Sequence, residues 1–118
     1  MKHFHVHIYF EDRELEQAHR LQQTASFFKA FDKVKLEKKA IGPHPSGMIE
    51  LHFWEIYFSD VTAWLETNRG SFTAMIHEDT GDDFKDHTDG IHWLGPKKPL
   101  DFSFFELILK RPELKIHP

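Results

Sequence analysis

The 118-residue chain has no cysteine. Disulfides, thiolate metal ligands and cysteine nucleophiles are therefore all excluded. It has no apolar run long enough to cross a bilayer, so no membrane partner is expected. The first residues carry a histidine at every second position instead of the apolar core of a secretory signal, and a cytoplasmic protein is expected. Excess positive charge is also lacking. The net charge is −4, which argues against nucleic acid as a partner. Internal repeats and low-complexity segments are absent.

What remains is ordinary in bulk and unusual in detail. A hydrophobic fraction of 40% and a charged fraction of 29% suit one globular domain over 1–118, large enough for a single core. Ten histidines, twelve phenylalanines and three tryptophans are heavy use of those residues. A metal bound here must be held by imidazoles and carboxylates, a set that suits iron, zinc, manganese or nickel.

The histidines are patterned. In Met1 to Phe10, Phe4, Val6, Ile8 and Phe10 alternate with His3, His5, His7 and Tyr9. A period of two predicts a strand with one apolar face. Imidazoles at i and i+2 stand about 7 Å apart on the other face, where they can converge on one ion or act as paired acids and bases. Such a face is also what water meets on a half-exposed sheet. The rest of the chain decides between the two.

Leu15, Ala18, Leu21, Ala25 and Phe28 recur at helical spacing and predict a helix from about Glu11 to Phe28, capped by Asp12, with His19 facing solvent. Val34 to Ile41 reads as a strand whose Lys33, Lys35, Lys38 and Lys39 mark a sheet edge. Gly42-Pro43-His44-Pro45-Ser46-Gly47 is a turn that holds His44 between two prolines. Met48 to Phe58 reads as a third strand, with Glu50 and His52 on one side. Asp60 to Gly70 reads as a second helix and Phe72 to His77 as a fourth strand.

The order strand, helix, strand, strand, helix, strand predicts an α+β fold of the ferredoxin-like split type. Four antiparallel strands carry both helices on one face, and a C-terminal extension follows. The first strand lies between the third and fourth, so His77 should fall near His3 and His5, and His52 beside His5 or His7. The helix-free face must be covered by a partner subunit, by the C-terminal segment or by a ligand. Beyond Glu78 the periodicity fades. Asp82, Asp83, Asp86, Asp89 and His87 lie in an acidic loop that fails the EF-hand spacing. Trp93 is placed to wall a pocket for a planar ligand. Phe102 to Leu109 reads as a last strand or short helix ended by Arg111-Pro112, with a loose tail.

Taken together, His5-Val6-His7-Ile8-Tyr9-Phe10, Gly42-Pro43-His44-Pro45 with Met48, Trp64-Leu65 with Asn68-Arg69-Gly70, His77 with Thr80-Gly81-Asp82-Asp83 and Asp86-His87, and Trp93-Leu94-Gly95 resemble the DOPA 4,5-dioxygenase family. The resemblance implies a homodimeric oxidoreductase that opens a catechol ring beside one hydroxyl with molecular oxygen, using Fe(II), or zinc or nickel in its place. The family's histidine positions fall on His5, His7, His44, His77 and His87. On that reading His5, His7 and His77 hold the metal, with Asp82 or Asp86 as a carboxylate ligand. His44 and His87 are the acid–base groups, and Tyr9 and Trp93 bind the aromatic substrate. Two other readings compete. One is a non-catalytic small-ligand or metal-binding module on the same scaffold. The other is a histidine-triad hydrolase, whose alternating histidines lie late in the chain, whereas here they open it.

Overall fold

The computed structural model describes residues 1–110. The expected stop at Arg111-Pro112 and the tail after it lie outside the described residues. Strand β1 (His3–Phe10) is the centre of the molecule, hydrogen-bonded on both sides to antiparallel neighbours. Helix α1 (Leu15–Ser26) follows a single 3-10 turn at Asp12–Glu14. The expected cap, Asp12, lies inside that turn. Glu11 opens it instead, its N–H bonded to the Glu14 carboxylate at 2.9 Å, because a glutamate three residues on can reach back to the first free donor.

Next come β2 (Phe31–Glu37) and β3 (Gly47–Trp54), then a 3-10 turn at Glu55–Tyr57, α2 (Phe58–Asn68) and β4 (Thr73–Glu78). A short helix α3 (Asp83–Asp86), a short strand β5 (His92–Leu94) and α4 (Ser103–Lys110) follow among the described residues. The sheet is antiparallel throughout, in the order β2-β3-β1-β4-β5. β1 does lie between β3 and β4, and the lysine-bearing β2 is an edge. The count of four strands is corrected to five: β5 pairs with β4 through Ala74–Leu94, Met75–Trp93 and Ile76–His92.

The two faces of β1 have different fates. Val6, Ile8 and Phe10 point into one core with Ala18, Leu21 and Ala25 of α1 and Val61 and Leu65 of α2, so both helices cover that face. Val6 and Ile8 are fully buried, and each such side chain contributes about 1.5–3 kcal/mol. The opposite face carries a smaller apolar cluster of Tyr9, Met48 and Met75, against which Ile41, Ile91, Trp93 and Leu100 pack. Of the three covers expected for this face, the C-terminal extension supplies at least part.

Candidate metal and substrate site

Register decides which imidazoles meet. On β1, His5 faces His52 of β3 on one side and His77 of β4 on the other. Two residues along, His7 faces Glu50 and Met75. Two more imidazoles arrive from outside the sheet. The turn after β2, with Gly42 at φ 55°, sets His44 over Tyr9, whose hydroxyl lies 2.7 Å from His44 Nδ1. Helix α3 opens on Asp82, whose carboxylate accepts from the Lys85 N–H at 3.1 Å, and runs into His87. The His87 ring centroid then stands 4.5 Å from that of His77 and 5.2 Å from that of His44. His5, His7, His44, His77 and His87 are each 3% exposed or less. A solvated polar face is therefore excluded for them.

Among the described residues three sets of imidazoles are close enough to share an ion. They are His3, His5 and His52; His5, His7 and His77; and His7, His44 and His87, with ligand atoms within 4.8 Å of one another in each set. His7 belongs to two of them. No carboxylate joins any set, which corrects the expectation of Asp82 or Asp86 as a ligand. Asp82 caps α3, and both Asp86 oxygens accept from Thr80, through its N–H at 2.9 Å and through its hydroxyl. Short turns consume Asp side chains in this way because their first N–H groups have no helical partner.

The hydrogen bonds fix the protons on two rings, His77 and His87. Thioethers and carbonyls only accept. His7 Nδ1 lies 3.2 Å from Met48 Sδ, His77 Nδ1 2.9 Å from the Glu78 carbonyl, and His87 Nδ1 2.7 Å from the Asp83 carbonyl. The Nδ1 atoms of His77 and His87 therefore carry the hydrogen, and the lone pair of each of these two neutral rings is left on Nε2. The Nε2 atoms of His7 and His77 face each other at 3.0 Å. Those of His44 and His87 are buried with no hydrogen-bond partner among the described residues.

Charge is driven out of this cluster. Burial, then the neighbouring His44, His77 and His87, holds His7 well below the usual imidazole range. Burial and His87 take His44 down to about 3. Burial, with His87 next, lowers His77 against the opposing pull of the Glu78 carbonyl. Burial also lowers His87, opposed by the Asp83 carbonyl and by Asp83 and Asp86. Tyr9 is pushed well up by burial alone. Four neutral imidazoles are what a cation needs as ligands.

A cavity of about 510 Å³ opens beside the cluster, with His87 in its wall and Ile91, Trp93, Leu100 and Phe102 as apolar lining. Its volume suits a small aromatic molecule. Trp93 lines it as expected. Tyr9 does not: its hydroxyl is turned to His44, and it borders a separate pocket of about 210 Å³.

Sequence reasoning missed Asp79 and Glu50. Asp79 Oδ2 lies 3.3 Å from His5 Nε2, and the residue follows directly on β4, where the register with β1 would have found it. Glu50 is fully buried between His52 and Lys35. Burial raises its pKa, but the bond from His52 and the charge of Lys35 outweigh this and hold it below the usual range.

The Dopa 4,5-dioxygenase family profile matches residues 4–104. The chain belongs to that family. It is 30% identical over 131 aligned positions to DOPA 4,5-dioxygenase of Amanita muscaria, covering 98% of this chain and 57% of that protein. It is 32% identical over 112 positions to an uncharacterized 21.2 kDa protein of Botryotinia fuckeliana, covering 85% of this chain and 61% of the relative. This chain thus spans less than two thirds of both relatives. A crystal structure of a Nostoc punctiforme protein assigned as a dioxygenase superposes with a TM-score of 0.76 at 32% identity, covering 92% of this chain and 94% of that one.

The metal that the resemblance implies for this family fits the residues present. His7 and His77 bring their Nε2 atoms to 3.0 Å of each other, the spacing of neighbouring nitrogens around an ion with metal–nitrogen bonds of about 2.1 Å. The carbonyl and thioether behind them hold the rings as the outer partners of metal ligands do.

Proposed function

We propose that this family member is a metal-dependent extradiol dioxygenase that opens a catechol ring with molecular oxygen, on a sheet of ferredoxin-like split type. The carrying observation is the meeting of five buried imidazoles from four separate segments, four of them held below the usual imidazole range, beside a cavity lined in part by Ile91, Trp93, Leu100 and Phe102. His5, His7 and His77 would hold Fe(II). The bound ion would supply what the side chains lack, a centre that binds catecholate and oxygen together and acidifies the hydroxyls.

The chain does the rest. Ile91, Leu100, Phe102 and Trp93 exclude water and hold the ring. His87 Nε2, unprotonated and in the cavity wall, takes a hydroxyl proton as general base. His44 is the second proton carrier. A Tyr9 O–H that donates to Nδ1 leaves the hydrogen on His44 Nε2. A Tyr9 that accepts from Nδ1–H leaves a lone pair there. The Tyr9 hydroxyl can rotate to bond either tautomer, so the tautomer present sets whether His44 Nε2 donates to the substrate or accepts from it.

The test is anaerobic loading with Fe(II), then oxygen uptake and ring-fission absorbance with catechols. Stoichiometric uptake is expected. His87→Gln should keep the metal and lose about 10²–10⁴-fold in turnover. Bound metal with no uptake for any catechol would leave the non-catalytic metal-binding reading instead. The homodimer implied by the family resemblance is read separately, by sedimentation.

A further inference from the structure

We infer that the cavity carries a subsite for an anionic side arm, built by Lys97 and Lys98, so that the preferred substrates are catechol carboxylates rather than catecholamines. The inference rests on the catechol reading and adds to it which ring substituent the site selects.

Both lysines line the 510 Å³ cavity, Lys98 half-buried and Lys97 exposed. None of the ten residues lining that cavity is acidic. Neither lysine forms an ion pair or hydrogen bond with a described residue, although the protein as a whole is net negative. Lys98 also borders the smaller pocket that holds Glu11, Arg13 and Glu14, without pairing there. The nearby carboxylates in sequence are used elsewhere. Asp101 accepts from the Ser103 N–H at 3.0 Å, and Asp86 is held by Thr80.

The segment bearing the lysines is tied down at both ends. Pro96 offers its carbonyl to the Thr73 hydroxyl at 2.8 Å, and the Asp101 N–H bonds to the Pro43 carbonyl at 2.7 Å, one residue from His44. The strap is thus anchored to β4 and to the loop that positions the acid–base histidine. Two lysines without an acidic partner among the described residues, on an anchored strap lining a cavity with Trp93, Leu100, Phe102 and His87 in its wall, match a planar ring with a carboxylate on a short arm. They repel a cationic arm and have no acid to offer the ammonium of a zwitterion such as DOPA.

The experiment is anaerobic calorimetric titration, with and without Fe(II), of three ligands sharing one ring: 3,4-dihydroxyphenylacetate, 4-methylcatechol and dopamine. Wild-type protein should bind them in that order, with about a tenfold or greater span between the two charged ligands at low salt, compressed at high salt. In K97Q/K98Q the span should fall to about twofold, and K98E should invert it. Equal affinities in wild type, an order preserved in K97Q/K98Q, or no binding of any of the three would overturn the subsite. An intact order with no oxygen uptake would reject the oxygenase reading and leave the subsite standing.

Discussion

His44 shows how a single residue is prepared for chemistry. Its Nδ1 is satisfied by Tyr9 while its Nε2 is buried without a partner, an arrangement that costs about 1–3 kcal/mol. Tyr9→Phe would strand Nδ1 as well and free the ring's orientation. We expect it to lower stability by about 1–2 kcal/mol and turnover by about 10–100-fold, the usual effect of losing an outer partner, with Fe(II) still bound. Denaturant unfolding and oxygen uptake read the two effects, and unchanged turnover would remove Tyr9 from the proton path.

The same residues predict an acid limit. In the unfolded chain imidazoles titrate near 6.5, whereas His7, His44, His77 and His87 are all lower in the fold. Above pH 6.5 both states are largely unprotonated and stability is full. Below it the unfolded chain binds protons that the native chain refuses. Each histidine then removes up to about 1.4 kcal/mol per pH unit until its folded pKa is reached, about 3 for His44. The melting temperature of metal-free protein should fall steeply from pH 6.5 to 4.5. A flat profile between pH 7 and 5 would contradict the buried cluster.

At the scale of elements, legibility followed periodicity. β1 was readable because each of its two faces has one job; strand order placed His77 near His3 and His5 and His52 beside His5 or His7, and the register settles both on His5. β3 was read too long. Its alternation runs on through Ile56, but the Glu55 N–H turns to the Lys2 carbonyl at 2.8 Å and the chain enters a 3-10 turn. β5 left no signal, since three residues carry less than two periods and are strand only because β4 presents an open edge. The lysine strap was equally silent: its importance lies in what it hangs over, which no local pattern encodes. Gly47 opens β3 with its Cα so close to its neighbours that an added Cβ would lie 2.8 Å from the Lys38 carbonyl oxygen and 3.0 Å from Phe10 Cε2. Backbone oxygens cannot swing aside, so Gly47→Ala should destabilise by about 1–3 kcal/mol. A denaturant midpoint equal to wild type would show that the β2–β3 connection yields more easily than its geometry says.

For the whole molecule, β1 joins folding to function, since one face anchors both helices and the other gathers the imidazoles. Five buried histidines pack against one another, four of them held below the usual imidazole range, and the Nε2 atoms of His44 and His87 stay without a hydrogen-bond partner among the described residues, a cost the fold bears when no cation is present. A cation that binds only the native state adds RT ln(1 + [L]/Kd), about 2.7 kcal/mol at a hundredfold excess over Kd. In a domain of this size that corresponds to a rise of about 10 °C or more in melting temperature. The rise should vanish in His7→Asn, which removes the imidazole shared by two of the three sets. It should persist in His19→Asn, which alters an exposed histidine on α1. Thermal melts of wild type and both variants, with and without anaerobic Fe(II), decide the matter. An equal rise in all three proteins would place the ion on surface histidines and dissolve the link between the central strand and the metal.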